Sequence, residues 1–271
     1  MTGRPNVSSQ FQTVERAHGP SNSRAAAVVL ILALGAFSAQ PVAAQAVATP
    51  PAAAQKVWPA YVPAGHTIKY EQDVQAFLDA DRTAPPPHDG ILFIGSSIFR
   101  QWEQLGTQMA PLPVYNRAFG GSRTWEVLHY VDQIVIPYHP RFVVYYCGSN
   151  DVNAKQDAAG ITERTIAFFD RVHRALPNTQ LFYVDIQKAP DKRAQWAIVD
   201  STNAAMGRYA AEHAKWVHTI DLNPVLFDAS GSIRGELFKA DSLHFLQPTY
   251  VEFTAVIKPV LEKAWTKPTG G

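Results

Sequence analysis

The chain has 271 residues, 46% hydrophobic and 17% charged, with a formal net charge of +1, enough for a sizeable core in one large domain or two small ones. That balance excludes a disordered tail protein, and the near-zero charge gives no reason to expect nucleic acid or an anionic membrane surface as partner. A single cysteine, Cys147, excludes an internal disulfide.

Met1 to Arg24 is polar and carries Arg4, Arg16 and Arg24 against one acid, Glu15. Ala25 to Ala39 is then an uncharged apolar run, followed by small residues at a spacing suited to cleavage after Ala44 or Ala46. A basic start, a short apolar run and a small-residue site predict a secretory signal over 1–44, and so a periplasmic or secreted protein. The run falls short of the roughly 20 apolar residues of a membrane span, although an uncleaved anchor stays open as the alternative. Loss of residues 1–44 removes three arginines and one glutamate, which takes the formal charge from +1 to −1. No stable membrane insertion is expected after cleavage, and no cysteine follows the run to carry a lipid. Cys147, inside "FVVYYCG", reads as a small buried hydrophobe.

Gln45 to Gly65 is rich in Ala and Pro and reads as a linker. Ile68, Val74, Phe77 and Leu78 recur at roughly helical spacing, and "TAPPPHDG" then breaks the chain. Short apolar runs follow at Ile91–Ile94, Val114–Tyr115, Phe142–Cys147, Leu181–Ile186 and Val217–Leu222. Segments of helical length separate them, among them Ile161–Leu176 and a last helix from Pro248 in which Pro259 predicts a kink. This alternation predicts one α/β domain over 66–266, a five-stranded parallel sheet covered by helices on both faces. Ligands of such sheets bind beyond the carboxyl ends of the strands.

Four of the five strand ends carry chemistry. Gly95-Ser96-Ser97 follows the first run, "NRAFGGSRT" with Gly120-Gly121 the second, "GSND" from Gly148 the third, and "DSLH" from Asp241 the fifth. Acyl transfer needs a nucleophile, a base with an orienting acid, and donors aimed at the developing oxyanion. Ser97 fits the nucleophile, His244 the base and Asp241 its orienting acid. Backbone N–H groups of Ser97 and Gly121 and the side-chain amide of Asn150 fit the oxyanion donors. Ser96 reads as the turn or cap residue. "QKAPDKR" after the fourth run carries no evident catalytic set.

These four stretches resemble the four blocks of the SGNH hydrolase (GDSL-type lipase/esterase) family, in the family's order. The resemblance implies a flavodoxin-like three-layer sandwich with Ser97, Asp241 and His244 catalytic and Ser97, Gly121 and Asn150 forming the oxyanion hole. Ser96 and Ser122 stand where the family's first two blocks carry Asp, which bears on local loop geometry and on any borrowed substrate. "GSSIF" also lacks the last glycine of the G-x-S-x-G elbow, which disfavours the α/β-hydrolase fold.

The expected activity is hydrolysis of carboxylic esters through an acyl-enzyme, on a small-molecule, glycan or lipid acyl ester. No apolar flap suggests a lid, so a short acyl group is expected. No metal-ligand spacing is present, and the expected base and donors are all protein groups, so neither metal nor cofactor is expected. An acyltransferase acting on a cell-envelope glycan and a non-catalytic binding module stay as alternatives. Arg100, Arg123 and Trp125 flank the predicted site, with substrate contact and plain packing both open. Oligomeric state is not legible.

Overall fold

The structure, a computed structural model, describes residues 61–266; the predicted signal and residues 45–60 of the predicted linker lie outside them. In chain order the elements are α1 (Glu71–Asp81), β1 (Ile91–Gly95), α2 (Ser97–Arg100), α3 (Leu105–Met109), β2 (Val114–Asn116), α4 (Thr124–His129), α5 (Val131–Ile134), β3 (Phe142–Tyr146), α6 (Ser149–Asn153), α7 (Ala158–Ala175), β4 (Gln180–Val184), α8 (Trp196–Glu212), β5 (Val217–Ile220) and α9 (Gln247–Trp265). All strand pairs are parallel, in the order β2-β1-β3-β4-β5. This is the flavodoxin-like order.

Every residue of β1 and β3 is buried, because helices cover both faces of the sheet. Side chains alternate between the two layers, as the two-residue period of a strand requires. Leu92, Ile94, Val143, Tyr145, Leu181 and Tyr183 pack with Val74, Val127, Ile134, Phe168 and Met206 from α1, α4, α5, α7 and α8. Ile91, Phe93, Val144 and Phe182 pack the other way, with Phe99, Met109, Tyr250, Phe253 and Ile257 from α2, α3 and α9. Full burial of each such side chain is worth about 1.5–3 kcal/mol.

The strand order reverses between β1 and β3, and this opens a crevice at their carboxyl ends. Two helical expectations are refined. α1 starts at Glu71, because Tyr70 before it adopts a left-handed backbone (φ 72°), and Ile68 packs on the core from outside the helix. α9 starts at Gln247 and runs unbroken through Pro259, whose exposed position leaves the carbonyl it frees to water. His173 and His213, both half-buried, stack on Trp216 and Tyr209. No described helix is long and apolar enough to cross a membrane.

Candidate active site

β1 ends in a turn that only glycine can make. Gly95 has φ +138°, and a Cβ there would lie 1.7 Å from the Tyr146 carbonyl oxygen on the adjacent strand. The close approach lets Ser96 N–H continue the ladder to Tyr146 O (3.1 Å) and starts α2 at Ser97, which is half-buried. Ser96 occupies the cap position, yet its hydroxyl makes no cap bond, is buried, and has no partner among the described residues. The expectation of a cap holds for its place in the chain and not for its side chain.

On the far side of the crevice, Phe238 and Phe245 bridge antiparallel and close a loop that carries Asp241 and His244 at its tip. Lys239 N–H to His244 O (2.7 Å) and Ser242 N–H to Lys239 O (2.9 Å) tighten it, with Ser242 at φ 57°. Asp241 Oδ1 accepts the backbone N–H groups of Leu243 (3.0 Å) and His244 (2.9 Å), and Oδ2 lies 2.6 Å from His244 Nδ1. His244 Nε2 lies 2.9 Å from Ser97 Oγ. Residues 147 positions apart thus form one hydrogen-bonded chain, Ser97–His244–Asp241. Partial burial works against the Asp241 charge, but the His244 ring and the two amides outweigh it and bring its pKa down to about 2. The carboxylate is therefore ionised at any working pH.

Two bonds tie the start of α9, which follows this loop, to the helix of Ser97. Tyr250 Oη donates to Ile98 O (2.8 Å), and Gln247 Nε2 donates to Gln101 O (3.0 Å). The loop itself is held from beyond the fourth strand, where Asp191 N–H donates to Ser242 O (3.1 Å).

The Gly120-Gly121 turn and Asn150 complete the crevice. Ser122, where the family pattern has Asp, is buried, and its hydroxyl donates to Gly95 O (3.0 Å), tying this turn to the Ser97 turn. Asn150 Nδ2 donates to Ser122 O (3.0 Å), leaving its second amide hydrogen uncommitted. Neither Ser97 N–H nor Gly121 N–H has an acceptor among the described residues, so both are free to bind an anion. Asp151 is buried against the start of α4: it accepts Thr124 N–H (3.1 and 3.2 Å), bonds the Thr124 hydroxyl, and pairs with Arg164 at 3.4 Å. Burial pushes the Asp151 pKa up, and Thr124 and Arg164 oppose that. Asp151 thereby holds the helix of Asn150 against the turn of Gly121.

Two features escape sequence reading. The Tyr70 hydroxyl rests on Gly121, and its ring packs on Phe119 at 5.4 Å. At the fourth strand's end, burial and then the Asp221 charge push Asp185 up to about 7. Beyond it Gln187 is buried with neither amide atom paired among the described residues. The polarity of "QKAPDKR" is the only signal for them in the sequence. A groove of about 570 Å³ between α7 and α8, lined by Ala159, Ala167, Ala205 and others, holds no comparable set.

The family model of the GDSL-like lipase/acylhydrolase family matches residues 94–250. The chain belongs to that family. Among solved structures it resembles a GDSL-like lipase from Bacteroides thetaiotaomicron (17% identity, TM-score 0.60, covering 70% of this chain and 98% of that one). It also resembles a lipase/acylhydrolase from Enterococcus faecalis (19%, 0.55, 67% and 100%) and a carbohydrate esterase family 3 structure from Talaromyces cellulolyticus (15%, 0.53, 65% and 97%). At these identities the likeness is one of fold. No curated protein matches the chain. Of the three residues expected beside the site, Arg100 lies over Gly120, Arg123 lies 3.8 Å from Glu126, and Trp125 is buried in packing.

Proposed function

We propose that the protein is an exported serine esterase that hydrolyses short-chain carboxylic esters of a small molecule or glycan. The observation that supports this most is the chain of hydrogen bonds from Ser97 through His244 to Asp241. Ser97 Oγ attacks the acyl carbon while His244 Nε2 takes its proton, and Asp241 steadies the imidazolium through Nδ1. Ser97 N–H, Gly121 N–H and Asn150 Nδ2 stabilise the tetrahedral oxyanion. Collapse expels the alcohol with the proton from His244. Water, deprotonated by the same ring, then releases the acid from the acyl-enzyme.

Fluorophosphonate labelling tests the nucleophile. Wild type and Ser96→Ala should label and turn over 4-nitrophenyl acetate, and Ser97→Ala should do neither. Full labelling of Ser97→Ala would refute the assignment. Acetyl-to-palmitoyl aryl esters, with and without glycan acceptors, then separate chain length and hydrolysis from acyl transfer. Export rests on the predicted signal over 1–44: a mature terminus near Gln45 or Val47 is expected, and an intact Met1 in washed membranes argues for the anchor.

A further inference from the structure

Arg100 ends α2, three residues after Ser97, and its side chain lies across Gly120. A Cβ at Gly120 would meet Arg100 Cδ at 3.2 Å, one terminal guanidinium nitrogen at 3.5 Å and Nε at 3.8 Å. The guanidinium is therefore held beside the turn whose next amide, Gly121, is the proposed oxyanion donor. It is also idle. Arg117, Arg164 and Arg234 are taken up by Asp81, Asp151 and Glu252, whereas Arg100 is exposed and has no hydrogen bond or ion pair among the described residues.

A second cation bonds the residue that follows it. Lys239 Nζ donates to Gln101 Oε1 (2.7 Å), on the residue after Arg100, while its backbone N–H holds His244 O (2.7 Å). Lys239 has no carboxylate partner among the described residues either. Asp241, the acid nearest in sequence, is committed to His244. Two cations without a carboxylate partner among the described residues thus stand at the edges of the site, one at the oxyanion turn and one at the histidine loop. A planar guanidinium left free at a crevice mouth suits a carboxylate or phosphate.

We infer that Arg100, assisted by Lys239, binds an anionic group of the substrate, so that the preferred substrate is an acyl ester bearing a carboxylate or phosphate near the scissile bond. This rests on the esterase reading of Ser97. Binding energy from such a remote charge is available to orient the ester over Ser97.

The test compares 4-acetoxybenzoate and 4-acetoxyphenyl phosphate with the neutral methyl 4-acetoxybenzoate, in wild type, Arg100→Gln, Arg100→Lys and Lys239→Gln. Wild type should favour at least one anionic ester in kcat/KM, and salt should erode that preference. Arg100→Gln should reduce the anionic-to-neutral ratio by about tenfold to a hundredfold, chiefly through KM, as loss of a charged hydrogen-bond partner does. Arg100→Lys should restore part of it, and Lys239→Gln should reduce it less. A response to the carboxylate alone assigns an acidic-sugar type of substrate, and a response to the phosphate alone a phosphorylated one. An unchanged ratio in Arg100→Gln overturns the inference. Should no ester be hydrolysed, the esterase reading fails, and calorimetric binding of unreactive 4-acetamidobenzoate against its methyl ester still reads the subsite. Equal affinities there, or no loss in Arg100→Gln, overturn it independently.

Discussion

The Tyr70 hydroxyl sits so close to Gly121 that a Cβ on that glycine would lie 2.6 Å from it. Gly121 also has φ +83°, a left-handed backbone that costs a side-chain-bearing residue about 1–2 kcal/mol. Gly121→Ala must therefore move either the turn or Tyr70, and both border the proposed oxyanion donor. A fall in kcat of about a hundredfold is expected, the scale of one lost donor. Gly120→Ala meets only the flexible Arg100 side chain and should keep most of the rate. Steady-state kinetics of the two variants, with circular dichroism to check folding, decides the matter; equal losses would show that the turn acts as a spacer.

Asn150 should behave as a transition-state donor. Asn150→Ala is expected to lower kcat by about 10² to 10³ with little change in KM, because its uncommitted amide hydrogen is the proposed oxyanion donor. A loss confined to KM would make it a substrate ligand instead.

In the proposed mechanism Asp241 acts through the ring of His244, so the two should not be additive. Asp241→Asn should cost up to about 10⁴ in kcat, and His244→Ala at least as much. The double variant should be little worse than His244→Ala alone. Multiplying losses would mean that the 2.6 Å contact between them is not the working one.

The buried Asp151–Arg164 pair predicts a stability effect with a kinetic echo. Arg164→Met leaves the Asp151 carboxylate buried and short of a partner, at a cost of about 3–5 kcal/mol. Urea unfolding should show the drop, and kcat should fall in the folded fraction, because Asp151 holds the helix of Asn150. An unchanged urea midpoint would remove Asp151 from this role.

Asp185 predicts a pH effect on stability. Its folded pKa is raised to about 7, by burial first and then by Asp221, from about 4 in the unfolded chain. Its contribution is fully present below pH 4 and is lost as pH rises through about 7. Asp185→Asn should therefore match wild type in Tm near pH 4 and exceed it at pH 8. A constant difference across that range would show that Asp185 is not strained by its charge.

Strand positions were readable because residues buried on both faces are apolar without interruption, as in "ILFI" and "FVVYY". The chemistry at the strand ends was readable for a related reason: Gly95, Gly121 and Asn150 are poor strand or helix formers, and they stand where the ladder stops. Sequence by itself thus determined the parallel α/β sheet, the turns at its carboxyl edge, and which Ser, His and Asp compete for one site.

Other features are properties of distance alone. Ser122 bonding Gly95, Tyr250 bonding Ile98, and Asp191 bonding Ser242 join segments that no local periodicity couples. Tyr70 falls within the helical spacing that begins at Ile68 and becomes a neighbour of Gly121 only when α1 packs on the sheet. The shift of Asp185 needs burial and a second carboxylate at the end of β5, and that Arg100 forms no ion pair among the described residues is likewise decided by the folded arrangement. Desolvation and Coulomb fields depend on what surrounds a group in three dimensions, and the tertiary structure alone decided them.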